Sequence, residues 1–152
     1  MPSAQKPTPA GGPYAIALRL LALAMGAFFV SNAIDKTAWL TDSGILAARL
    51  AGWAADAPPT SRWYIETVAM PGVPLFARLV PVAELSAGVA LVVGFWTRLA
   101  ATVAFLMVAN FHVARGFVFD PAFLIDGTGF PVLGSLLALA IGGSRLPWSA
   151  SR

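Results

Sequence analysis

The chain has 152 residues, of which 58% are hydrophobic and 11% charged. A soluble domain carries roughly 45–50% apolar and 25% charged residues and could not bury such an excess, so lipid is the matching solvent. The net charge of +3 comes from basic residues scattered singly, which excludes the clustered footprint of a nucleic-acid binder. The absence of cysteine removes disulfides, iron–sulfur clusters and thiol catalysis.

Residues 1–13 are rich in Pro and Gly and read as a disordered cytoplasmic tail. The apolar run over 14–34 follows Lys6 and has small residues at its end, as a signal peptide would. It exceeds the about 7–15 residues of a signal core and is expected to stay as a first transmembrane helix. Residues 35–74 form a long loop carrying Trp39, Trp53, Trp63 and Tyr64. Within it, Ile45, Leu46, Arg49, Leu50 and Trp53 fit a short amphipathic helix capped by Asp42 or Ser43. Residues 61–70 fit another, stopped by Pro71. The aromatics suit the membrane–water interface, so the loop is expected to lie on the bilayer over one end of the protein.

Further spans are predicted over 75–96, 99–117 and 127–144, the last the shortest. Residues 14–148 then form one domain, an all-α integral membrane four-helix bundle. Small residues mark expected packing seams: Ala15, Ala22, Gly26 and Ala33; Ala83, Ala87, Ala90 and Gly94; Gly134, Ala138 and Gly142. Four spans place both termini on one side, with Lys6, Arg19, Arg98, Arg145 and Arg152 and no acid. The other side holds five basic residues and all seven acids. Basic tails and a basic short loop favour cytoplasmic termini and a periplasmic aromatic loop in a bacterial inner membrane.

Ionisable groups within spans are costly and mark candidate functional positions. Glu84 lies ten residues before Gly94, roughly 15 Å deep at 1.5 Å per residue. Asn110 has a similar depth on the next helix, and Asn32, Lys36, His112 and Arg115 lie slightly further out. These six form the candidate site, Glu84 its catalytic candidate and the others ligand-binding candidates. Glu84 serves either as proton acceptor or as a structural partner of a basic group. Asn110 and His112 are two residues apart and point about 200° from each other, so both cannot face one pocket. Asn110 is expected to face inward, with His112 secondary. Asp120 and Asp126 read as solvated loop residues. The single histidine leaves no metal-ligand set, and no flavin, haem or dinucleotide motif occurs.

Glu84-Leu85, Gly88, Leu91, Gly94 and Thr97-Arg98-Leu99-Ala100 resemble the DoxX family of small membrane proteins. The family's Gly-x-x-Lys ending of the first helix appears as Ala33-Ile34-Asp35-Lys36, with Ala in place of Gly. The long aromatic loop resembles the DoxD-like branch, related to the small subunit of a thiosulfate:quinone oxidoreductase. The resemblance spans about residues 18–115 and implies four transmembrane helices and, in some members, quinone-dependent redox chemistry. On that reading the chain is expected either to bind a quinone-like ligand or to dock an oxidoreductase; no cofactor is evident in the chain, so electrons would come from a protein partner. A non-catalytic assembly subunit of a larger membrane complex is the alternative. A homo-oligomer in lipid is compatible with either, and a small-solute transporter would require one.

Overall fold

The computed structural model describes residues 12–150, and these are entirely helical and irregular. The tail expected over 1–13 lies outside the described residues as far as residue 11, and Pro13 already opens the first helix. Six α-helices follow: α1 (Pro13–Asp35), α2 (Gly44–Asp56), α3 (Pro59–Tyr64), α4 (Val73–Val93), α5 (Thr97–Ala114) and α6 (Phe130–Gly142). Short turns intervene, including a π turn over Ile65–Ala69 that runs straight out of α3.

Helices α1, α4 and α5 are long and apolar enough to cross a membrane. The fourth expected span does not reach that length. Of residues 127–144, only Phe130–Gly142 are helical, 13 residues, or about 20 Å. Residues before it fold into a turn instead, because Gly127 and Gly129 lose more backbone entropy in a helix than other residues and Asp126 captures the Thr128 amide.

Helix α1 packs most extensively against α4, α5 against α6, and the two pairs meet through α4–α5 and α1–α6. Where α1 crosses α4, Gly26 and Gly88 bring the backbones together: a Cβ on Gly88 would lie 2.8 Å from the Val30 amide nitrogen and 3.0 Å from the Gly26 carbonyl oxygen. The expected small-residue seam is thus real at Ala22, Gly26, Ala33 and Ala87, all buried. Gly94 does a different job. It is left-handed, φ 72°, and lets the Phe95 amide close onto the Ala90 carbonyl at 2.8 Å, a Schellman-type helix end. Of the α6 stripe only Gly142 meets another helix, where a Cβ would lie 2.8 Å from Leu18 Cδ1 of α1; Gly134 and Ala138 are exposed, and α6 buries Val132, Leu136 and Leu139.

Two arginines cap helix ends. Buried Arg19 donates to the carbonyls of Leu91 and Val92 in the last turn of α4, and Arg98 Nε donates to Ala140 O near the end of α6 at 2.9 Å. Terminal carbonyls have no intrahelical donor and carry the negative end of the dipole, so a cation there satisfies both.

The residues between α1 and α4 do not merely lie along the protein. They carry an apolar core of their own, in which Trp39, Leu46, Leu50, Ile65 and Ala69 pack on Val73 and Ala77 of the first turns of α4. Trp39, expected as an interfacial anchor, is 3% exposed and belongs to this core, whereas Trp63 is 60% exposed. A second core joins α1, α4, α5 and α6.

Candidate functional site

At the end of α1, Lys36 turns inward and meets Glu84 from the middle of α4. Lys36 Nζ lies 2.8 Å and 3.0 Å from the two carboxylate oxygens. It also reaches the backbone and side-chain oxygens of Asn32, each at 3.3 Å. Asn32 is fixed in turn by donating to Phe28 O. Both members of the ion pair are buried. Of the two roles open to Glu84, the geometry displays the structural one, with both oxygens engaged.

The pair forms one wall of a polar cavity of about 210 Å³. Asn32, Lys36, Glu84, His112 and Arg115 all line it, so five of the six sequence candidates converge. Arg49, Trp39, Trp53, Phe111 and Thr128 line it as well. Arg49 sits over the Trp39 ring at 5.1 Å and Arg115 over Phe117 at 4.7 Å. Both Arg49 and Trp53 come from the amphipathic helix legible in the sequence, but its residues carry no sign of which pocket they meet.

Asn110 is the exception. It faces away from this cavity, and its Oδ1 accepts a 2.7 Å hydrogen bond from the Tyr64 hydroxyl. It lines a separate apolar cleft of about 390 Å³ that parts α4 from α5 beneath α2 and α3. Leu79, Ala83, Val103 and Met107 supply its walls. The inward position belongs to His112, 6% exposed. The two side chains face different spaces, as their spacing requires, but the polar cavity takes the histidine and not the asparagine. Trp53 and Phe111 line both spaces, so the polar cavity and the apolar cleft adjoin across two aromatic side chains.

His112 Nε2 lies 3.0 Å from Thr128 O. Thr128 is itself held by Asp126, whose Oδ1 accepts from both its amide and its hydroxyl. These bonds, the hydroxyl's first, hold the Asp126 carboxyl below the usual carboxylate range. A depressed carboxylate stabilises the fold above its unfolded pKa and loses that contribution as pH falls through its folded one. The Thr128 amide should therefore keep its hydrogen-exchange protection at neutral pH and lose it on acidification below the carboxylate range. Asp126→Ala should show the loss already at neutral pH. Protection that ignores both changes would remove Asp126 as the organiser of this turn.

Among the described residues, an all-helical fold with three helices long and apolar enough to cross a membrane and a polar cavity under a folded cap fits a small helical membrane protein. A family model described as DoxX matches residues 15–115, two thirds of the chain, and the chain belongs to that family. No curated protein and no solved structure gives a significant match.

Five of the residues that carry the resemblance have a structural role in the fold. Glu84 binds Lys36, Gly88 admits α1, Gly94 ends α4, Thr97 starts α5 in a buried position and Arg98 caps α6.

Proposed function

We propose that this chain is an inner-membrane protein that binds a quinone-like amphiphile and serves a quinone-linked oxidoreductase as partner. The ring occupies the polar cavity and the apolar chain follows the cleft between α4 and α5. The observation that carries this reading is the adjacency of the two spaces, one with charged and aromatic walls and one almost wholly apolar, sharing Trp53 and Phe111. Amphiphile sites combine mostly apolar walls with a few placed polar groups. The link of DoxX proteins to quinone chemistry agrees with it, and the long aromatic loop suggests the DoxD-like branch.

In this reading the chain spans four times as a four-helix bundle, with cytoplasmic termini and the cap facing the periplasm. Helix α6, about 20 Å long, would cross with local thinning of the bilayer or with help from the turn before it. Arg98 and Arg145 carry the topological signal, since Arg19 is buried on the α4 carbonyls.

A second reading, a non-catalytic assembly subunit, is favoured by the Lys36–Glu84 pair, which leaves the carboxylate engaged. One experiment separates the two. Decylubiquinone titrated into the protein in lipid nanodiscs should quench tryptophan fluorescence, with a reduced change in Trp53→Phe. Ala83→Phe fills the cleft and should weaken binding by about tenfold or more, since repacking a filled apolar space costs about 1–3 kcal/mol. Saturable binding that Ala83→Phe leaves untouched would move the ligand elsewhere. The absence of any binding would favour the assembly subunit.

A further inference from the structure

Where α4 ends and α5 begins, a cavity of about 370 Å³ opens at the end of the bundle remote from the cap. Gly94, Trp96, Arg98, Leu99, Arg145 and Leu146 line it. The chain after α6 turns back to build its far wall. Leu146 is buried in the core shared by α1, α4, α5 and α6, and the Ala150 amide closes onto Val93 O at 3.0 Å. Among the described residues, the non-glycine residues of positive φ all fall here: Trp96 at 45°, Arg145 at 56° and Trp148 at 54°. Side chains rarely adopt that conformation, and surrounding contacts must hold it. Arg145 is thus carried on a fixed turn and not on a loose end.

The charge on this wall is unopposed. Arg98 is oriented by the bond from its Nε to Ala140 O, which leaves its two terminal nitrogens without a partner among the described residues. Arg145 is exposed and makes no ion pair or side-chain hydrogen bond among them. Glu84 lies ten residues before Gly94, about 15 Å along α4, and holds Lys36. The remaining acids sit at the far end of α1, in the cap and in the turn between α5 and α6. Guanidinium N–H edges match the oxygens of a phosphate. The rim beside them is apolar and uncovered, with Trp148 72%, Trp96 61% and Leu99 54% exposed. Tryptophans in such a rim suit the headgroup level of a bilayer, where basic pockets at helix ends take lipid phosphates. A soluble phosphate would leave the rim bare, whereas a phosphate that carries acyl chains covers it.

We infer that this cavity binds the headgroup of an anionic phospholipid, its phosphate between Arg98 and Arg145 and its acyl chains along Leu99 and the exposed tryptophans. The site is independent of the amphiphile reading, whose two spaces lie beneath the cap.

The probe is phosphatidylglycerol brominated in its acyl chains, diluted into phosphatidylcholine vesicles that carry the full chain. Brominated phosphatidylcholine is the reference. Bromine quenches tryptophan on contact, so the signal reports which lipid sits beside the ring. At equal fraction the phosphatidylglycerol should quench more, with an association at least about fivefold stronger, the effect of one arginine near a lipid surface. The excess should survive in Trp63→Phe, whose ring lies on the cap, and shrink in Trp148→Phe. Arg145→Gln breaks no hydrogen bond or ion pair among the described residues and should remove most of the excess. Arg78→Gln, an exposed position near the start of α4, should keep it. Inorganic phosphate, matched against chloride at equal ionic strength, should not displace the lipid. Equal quenching by the two lipids overturns the site, as does an excess that Arg145→Gln leaves untouched or that Arg78→Gln lowers as much. Displacement by inorganic phosphate overturns the lipid and makes a soluble phosphate the occupant.

Discussion

Lys36→Met is expected to destabilise the protein by about 3–5 kcal/mol, because it strands the Glu84 carboxylate between two apolar cores. The side chains of the pair are 10% and 5% exposed, so only the water that the adjoining cavity admits could take the place of the lost ammonium. The same burial makes the intact pair costly to desolvate. Removing both charges in Lys36→Met/Glu84→Leu should therefore recover most of the loss, giving a large favourable coupling energy in the double-mutant cycle. Thermal unfolding in nanodiscs, followed by circular dichroism, reads all three variants. A Lys36→Met protein as stable as wild type would show that Glu84 is content alone or protonated, and that the pair ties nothing. Should the double variant fold but lose decylubiquinone binding, the pair would belong to the ligand site as well as to the scaffold.

The long elements are legible in the sequence because a long apolar run in a chain poor in charge can hardly find burial except in lipid or in a helix core. The pattern overruns at 127–144, where hydropathy counts Gly127 and Gly129 as neutral but each costs a helix backbone entropy. The convergence of Asn32, Lys36, Glu84, His112 and Arg115 is legible from depth alone, since rise per residue fixes height along a helix. Azimuth is not. Val103, Met107 and Ala114 give the Asn110 face an apolar character that suggests burial, yet Val103 is 46% exposed and that face meets the cleft under Tyr64. Nothing local to α5 shows that a tyrosine from another helix will close over it. The opposite face does carry a readable signal: Ala101, Ala104, Val108 and His112 fall at helical spacing and are all buried. Small residues there admit α6, and the histidine closes the same stripe. Trp39 departs from its expected place for a related reason. Aromatic content predicts an interface, whereas the fold gives this ring to a core built on the first turns of α4.

Gly88→Leu is the second large effect, expected to cost about 3 kcal/mol or more. In isolation the change should help, since Leu exceeds Gly in helix propensity by roughly 0.8–1 kcal/mol, so a loss of stability has diagnostic sign. The loss arises because the nearest neighbours of a new Cβ include backbone: the Val30 amide nitrogen at 2.8 Å and the Gly26 carbonyl oxygen at 3.0 Å. The reciprocal Cβ on Gly26 would lie 2.8 Å from Gly88 O and 2.9 Å from Val92 N. Backbone cannot rotate aside as a flexible side chain can, so α1 and α4 must separate along the most extensive helix pairing of the fold. Separation would also draw Lys36 away from Glu84 and Arg19 away from the α4 carbonyls. Gly88→Ala should show the same direction at about 1–3 kcal/mol, the ordinary cost of overpacking. Gly134→Leu is the control, since a Cβ there meets nothing within 4 Å and the site is exposed. Its melting should stay near wild type or rise. Equal melting of Gly88→Leu and Gly134→Leu in the same nanodiscs would mean that the two backbones do not meet at Gly26 and Gly88.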